Sequence, residues 1–169
     1  MNCKIGDHVV YCSGEICLVD SVVKRSFDGI NEIEYFRLIP VGTKKSSYYI
    51  PCENYDSKIR QLLTKDEIYS LIEEMPEANA EWCEDKNARK SLFSSVLKSD
   101  DYHKIIAMMH SLYIQRENQK EKGKKLLASD ERAMNEAEHL IHQEFAFVLG
   151  IREDEVEEFI EKKLNKTLL

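Results

Sequence analysis

The hydrophobic pattern of this chain changes its period once, near residue 58, and that change constrains the fold more than any other feature. Before it, short runs of β-branched and aromatic residues are separated by turns, and after it apolar residues recur every three or four positions. A period of two is typical of strands and a period of 3.6 of amphipathic helices. We therefore predict an α+β chain, with a small β domain at residues 1–56 and an all-helical domain at residues 57–169.

Four runs of strand length precede the change, at residues 9–11, 16–19, 33–39 and 48–50. The turn sequences between them are Ser13-Gly14, Asp28-Gly29 and Val41-Gly42-Thr43. Pro51 should end the last strand because proline has no N–H to donate to a ladder. Four or five short strands joined by tight turns predict a Tudor-like small curled sheet or a partly closed barrel.

About five helices follow. The capping box Thr64-Lys65-Asp66-Glu67 predicts where the first begins, and Pro76 predicts where it ends. The others are predicted at about 80–98, from Ser99-Asp100 onwards, from Ser129 or Asp130 to Gly150, and at about 153–164. Residues 117–128, which surround Gly123, are predicted to form a Lys-rich connection.

Charge is distributed unevenly along the chain, although the net charge of −7 alone argues weakly against nucleic acid. Residues 86–125 hold ten Lys or Arg against four acidic residues. Residues 66–85, on one side, hold eight acidic residues and no Lys or Arg, and residues 130–161, on the other, hold eleven acidic residues and two Arg. A basic segment between two acidic ones predicts a polarised surface that can accept a polyanion.

Catalytic and metal-binding motifs are not found in the sequence. It contains no phosphate-binding glycine loop, nucleophile elbow or HExxH helix, and Glu136-x-x-His139 is a single pair where a di-iron bundle needs two. The five cysteines include no CxxC pair, so we expect reduced, mostly buried thiols rather than a zinc site. We predict a binding protein rather than an enzyme, with no cofactor, metal or small-molecule substrate.

No apolar run is long enough to span a membrane, and the N-terminal residues lack the apolar core of a signal peptide. We therefore expect a cytoplasmic protein that does not bind a membrane.

Two surfaces are candidates for binding. The first is the sheet, because an edge rich in Tyr, Ile and Val can add a strand from another protein. Its candidate contact residues are Lys24, Arg25, Arg37, Tyr48 and Tyr49. Ordinary packing within the sheet is the alternative for each of them.

The second candidate is the basic segment beside the only tryptophan, Trp82. If residues 80–98 form one helix, Trp82, Lys86 and Arg89 share a face, with Lys90 next to it. An aromatic ring can stack on or wedge between bases while cations hold phosphates. The alternative is that Trp82 is a core residue.

Motifs over nearly the whole chain resemble the CarD family of bacterial transcription regulators, and most closely its Firmicute branch. In the first half these are Lys4-Ile5-Gly6-Asp7-His8-Val9-Val10-Tyr11, Val19-Asp20-Ser21-Val22, Ile50-Pro51-Cys52-Glu53-Asn54 and Leu62-Leu63-Thr64-Lys65-Asp66-Glu67. In the second half they are Trp82-x-x-Asp85-x-x-x-Arg89, Leu97-Lys98-Ser99-Asp100-Asp101, Gly123-Lys124-Lys125-Leu126 and residues 144–151. The first domain is also similar to the polymerase-interacting domain of transcription-repair coupling factors.

The resemblance implies that the β domain docks on the β subunit of RNA polymerase, with Lys24 and Tyr49 at contacting positions. It implies that the helical domain touches promoter DNA at the upstream edge of the bubble, where Trp82 wedges into the minor groove without reading sequence. Relatives have paired arginines where Cys83-Glu84-Asp85 follow Trp82. DNA contact is therefore also predicted for Arg89, Lys90 and the connection that carries Lys120, Lys122, Lys124 and Lys125. The alternative is an adaptor whose helical domain binds another protein and not DNA.

Overall fold

The structure is a computed structural model and describes residues 3–12, 14–27, 29–42 and 46–167. The chain divides into two compact units, Met1–Leu62 and Leu63–Leu169. The predicted α+β class is confirmed: an antiparallel sheet comes first and helices follow it.

In the described part of the first unit, the strands form one five-stranded antiparallel sheet that does not close into a barrel. Along the sheet the strands lie in the order β4-β3-β2-β1-β5. They are β1 (His8–Tyr11), β2 (Glu15–Arg25), β3 (Ile33–Pro40), β4 (Tyr48–Pro51) and β5 (Ile59–Gln61). Strand β5 was not predicted, since residue 58 was taken as the start of the helical region. It pairs with β1 through Ile59 opposite Tyr11.

Successive side chains along each strand point to opposite faces of this sheet. Phe36, Leu38 and Ile50 point to the face that carries the core, together with Val19 and Cys17. A bulge in β2 between Val19 and Ser21 shifts the register, so the residues beyond it change face relative to a regular strand. The predicted turn residues Ser13, Asp28 and Thr43 lie outside the described residues, whereas Gly14 and Gly29 have the positive φ that such turns need.

The second unit contains five α-helices among the described residues, as predicted. They are α1 (Lys65–Glu74), α2 (Lys86–Leu97), α3 (Tyr102–Glu121), α4 (Ala128–Leu149) and α5 (Val156–Thr167). The predicted capping box forms: Thr64 Oγ1 accepts from Glu67 N at 3.2 Å, and Glu67 Oε2 accepts from Thr64 N at 2.7 Å. Gly150 ends α4 with φ of 72°.

Several predicted helix ends are wrong. The helix predicted from about residue 80 begins at Lys86, because Asp85 caps it by accepting from Ala88 N at 2.7 Å. Asp101, not Ser99 or Asp100, caps α3, which runs on to Glu121 through part of the predicted connection. Neither Ser129 nor Asp130 caps α4, because the helix already begins at Ala128.

The helical core surrounds Phe145, Ile141, Leu112, Ile68 and Ile72, all at most 2% exposed. A charged residue, Glu144, also lies in this core. Glu144, 1% exposed, accepts from Leu63 N at 2.7 Å and from the Tyr102 hydroxyl. A buried carboxylate needs such donors, so this pair of hydrogen bonds connects α4 to α3 and to the start of the unit.

Cysteine burial is lower than predicted. All five cysteines are free, but only Cys3 and Cys17 are buried, while Cys12 is exposed. Among the described residues, no group of His, Cys, Asp and Glu could hold a metal ion. No helix in the described part of the chain has the length and apolarity to cross a membrane.

Candidate nucleic-acid and protein interfaces

Trp82 lies in the irregular segment before α2, not on the helix as predicted. Its indole is half-buried and packs against the core, with its ring centroid 6.2 Å from that of Phe93. The guanidinium carbon of Arg89 lies 4.4 Å from the indole centroid, within the range of a cation–π interaction. Trp82 and Arg89 are therefore neighbours, as the sequence suggested, but through a tertiary contact rather than one helix face.

Arg89 is the residue whose predicted role the structure contradicts most clearly. It is 4% exposed, although it was predicted to present its charge to phosphate. Its Nε and Nη2 donate to the two carboxylate oxygens of Asp130 at 3.2 and 2.8 Å. Its Nη1 donates to the carbonyls of Cys83 and Glu84 at 2.8 and 3.2 Å. A guanidinium with these partners is a structural group that holds the Trp82 segment in place.

We call the cleft beside this pair the Trp82 cleft; it has a volume of about 470 Å³. Among the residues that line it are Trp82, Glu84, Lys122, Lys124 and Lys125. The lysines follow the end of α3, where Gly123 has φ of 67° and Lys124 N donates to Gln119 O at 2.8 Å. A helix C-terminus carries partial negative charge, which favours cations there.

The charges that the Trp82 cleft offers to a ligand are mostly positive. Arg89 and Asp130 pair with each other and leave three exposed lysines against the carboxylate of Glu84. The Arg89 guanidinium covers one face of the indole, so the opposite face is the one on which a base could stack while the lysines meet phosphates. Lys86, Lys90 and Lys120, also predicted to bind DNA, are exposed but do not line the cleft, and Lys120 lies 3.8 Å from Glu117.

The sheet presents an aromatic surface, which we call the Tyr49 face and define by Arg25, Phe27, Tyr35 and Tyr49. The Phe27 ring centroid lies 5.0 Å from that of Tyr35 and 5.8 Å from that of Tyr49. The guanidinium carbon of Arg25 lies 4.5 Å from the Tyr49 centroid. Phe27 is 61% exposed, so this cluster is open to a partner.

The residues predicted to bind polymerase do not lie on one face. Arg37 pairs with Tyr49 in register and shares its face, but its Nε donates to Ser47 Oγ and its Nη1 lies 3.5 Å from Asp20. Lys24 lies on the opposite face, 3.9 Å from Glu34.

Tyr48 also lies on that opposite face and packs against the sheet core. Its hydroxyl donates to Glu15 at 2.7 Å, and this hydrogen bond raises the pKa of Tyr48. The structure therefore brings Arg25, Arg37 and Tyr49 together and separates Lys24 and Tyr48 from them.

Sequence reasoning missed two parts of these surfaces. Phe27 was not predicted to be a contact residue. Its position directly before the turn residues Asp28-Gly29 was a signal, because a turn does not need a large aromatic side chain. Asp130 was taken as a helix cap, because aspartate is favoured there and nothing local links it to a residue 41 positions away.

No known protein-family model and no curated protein matches the chain.

Proposed function

We propose that this chain is a regulator of bacterial transcription that binds the RNA polymerase β subunit through its sheet and promoter DNA through its helical unit. It would act in the cytoplasm by tuning the stability of the open promoter complex, as a binding protein and not as an enzyme. The motif pattern that resembles the CarD family supports this proposal, and so do the two surfaces.

One observation carries the DNA part of the proposal: the Trp82 cleft joins the only tryptophan to Lys122, Lys124 and Lys125, some 40 residues away in sequence. An indole that shares a cleft with exposed lysines has the chemistry to contact an unstacked base and its backbone. The DNA contact would be independent of sequence, because phosphate contacts and stacking on a base do not read the base edges.

The Tyr49 face supports the attachment part. Tyrosine and arginine are the residues that most often dominate binding at protein interfaces, and here Arg25 lies over Tyr49 beside exposed Phe27. Weak binding at each surface is sufficient, because attachment to polymerase would raise the effective concentration of the helical unit at DNA to about millimolar.

Glu84 favours a second candidate, an adaptor whose helical unit binds a protein. Its exposed carboxylate lines the Trp82 cleft and would repel phosphate. An electrophoretic shift of promoter DNA by polymerase, with and without the full chain and over a range of salt, separates the two candidates. A salt-dependent supershift that Lys122→Ala weakens supports DNA contact, whereas polymerase binding with no effect on DNA supports the adaptor.

A further inference from the structure

A second concavity lies in the helical unit, where α3, α4 and α5 meet the end of α1. We call it the methionine pocket; its volume is about 300 Å³, at the lower end of the range for small-molecule sites. Ile106 and Ile141, both at most 6% exposed, form apolar parts of its wall. Met75, Met109 and Met134 also line it, and flexible thioethers adapt to flat apolar ligands.

The polar groups around this pocket are mainly acceptors. Glu138 and Glu157 line it, and neither forms an ion pair within the part of the chain that the structure describes. His110 Nδ1 is buried and has no hydrogen-bond partner among the described residues. In the tautomer protonated at Nε2, this nitrogen accepts a hydrogen bond.

Of the described residues that line the pocket, one is a Lys or Arg, and its charge is already engaged. The Arg116 guanidinium carbon lies 4.9 Å from the Tyr113 ring centroid, and Nη1 donates to Met134 Sδ at 3.8 Å. Two carboxylates that have no ion-pair partner among the described residues therefore outweigh one stacked cation, and the pocket favours a positive ligand over a negative one.

We propose that the methionine pocket binds a small amphipathic amine, with an aromatic or aliphatic body against the methionines and an ammonium group near Glu138 and Glu157. An ammonium donates up to three hydrogen bonds, which matches the carboxylates and the unpartnered nitrogen of His110. This ligand is bound and not transformed. The proposal is independent of the proposed function.

The test uses the full chain labelled with ¹³C at the methionine methyl groups, titrated with tryptamine and, separately, with indole-3-acetate. These two probes share a ring and differ in the sign of their charge. Tryptamine at millimolar concentration should move the methyl signals of Met75, Met109 and Met134. Met108, which is 2% exposed and does not line the pocket, is the internal reference and should not move.

Glu138→Gln removes one carboxylate without changing shape and should weaken tryptamine binding roughly two- to fivefold, the range for a partly exposed ion pair. Glu136→Gln, on the exposed side of the same helix, is the matched control and should leave binding unchanged. Equal response to both indoles, stronger binding of indole-3-acetate, unmoved pocket methyls, or full affinity in Glu138→Gln would each overturn the proposal.

Discussion

The guanidinium of Arg89 lies between the indole of Trp82, 4.4 Å from its centroid, and the carboxylate of Asp130, 2.8 Å from Nη2. One buried arginine thereby links the tryptophan segment before α2 to the first turn of α4. Because Trp82 is the only tryptophan, its fluorescence reports directly on this arrangement.

Arg89→Met should lower the free energy of unfolding by about 3–5 kcal/mol, since it leaves the Asp130 carboxylate buried without its partner. Urea unfolding followed by Trp82 fluorescence measures the loss. Lys90→Met, at an exposed position on the same helix, is the control and should stay within about 0.5 kcal/mol. The double variant Arg89→Met/Asp130→Leu should recover part of the lost free energy of unfolding, because it removes the unpaired carboxylate as well. The coupling energy between Arg89 and Asp130 should then be about 1–3 kcal/mol. If Arg89→Met and Lys90→Met unfold alike, the buried pair does not stabilise the unit.

Replacing Lys122, Lys124 and Lys125 by Ala should flatten the salt dependence of DNA binding by the polymerase complex. Three lost phosphate contacts reduce the slope of log affinity against log salt by about 2 to 3. The control replaces Lys65, Lys98 and Lys104, which are exposed and lie outside the Trp82 cleft. An equal reduction in both triple variants would mean that total charge, not the cleft, determines binding.

Tyr49→Ala should weaken attachment to the polymerase β subunit by about tenfold or more, because a hot-spot residue at an interface centre costs about 2 kcal/mol or more when it is truncated to Ala. Tyr113→Ala, at a 50% exposed position in the helical unit, should have no such effect. Pull-down and titration with the isolated β subunit measure both. If Tyr49→Ala binds with unchanged affinity while circular dichroism shows that the sheet is still folded, the Tyr49 face does not bind the polymerase β subunit.

Thiol alkylation should separate the cysteines of the sheet. Burial raises the pKa of Cys17 to about 12, so at pH 8 almost none of this thiol is the reactive thiolate. Exposed Cys12 should react first with iodoacetamide in the folded protein, and peptide mass mapping measures the order. The raised pKa also means that Cys17 loses its proton at a lower pH in the unfolded chain than in the folded one. The contribution of Cys17 to the free energy of unfolding therefore declines as the pH rises from about 9 towards 12. Early alkylation of Cys17 would show that the sheet opens readily.

The periodic elements could be predicted from sequence, because their signals are local. Thr64 and Glu67 form the capping box that their spacing indicates, and Gly150 ends α4. Strand β5 could not be recognised, since Ile59-Arg60-Gln61 is too short to show a period and forms only by pairing with β1.

The candidate site was less predictable than the fold. The residue types were informative, because Trp82 and Arg89 do meet; that Lys124 and Lys125 line the same cleft as Trp82 was not predicted. The geometry of the site could not be predicted. Asp85 caps α2, so this helix begins later than the apolar pattern suggested, and Asp130 pairs with Arg89 on another helix. Tertiary pairing of this kind overrides local preference.

We propose that Trp82 acts on opened promoter DNA while the chain is attached to polymerase. Because the Trp82 side chain is half-buried, Trp82→Ala should lower the free energy of unfolding by only about 2 kcal/mol. Truncating a fully buried ring would cost roughly 3–5 kcal/mol. The loss of base stacking, about 1–3 kcal/mol, should shorten the open-complex lifetime some five- to 150-fold. The decisive measurement is that lifetime, at concentrations where polymerase is saturated with either form. A shortened lifetime with unchanged affinity for polymerase is the predicted result. An unaltered lifetime per bound molecule would contradict the account and leave Trp82 as a structural residue.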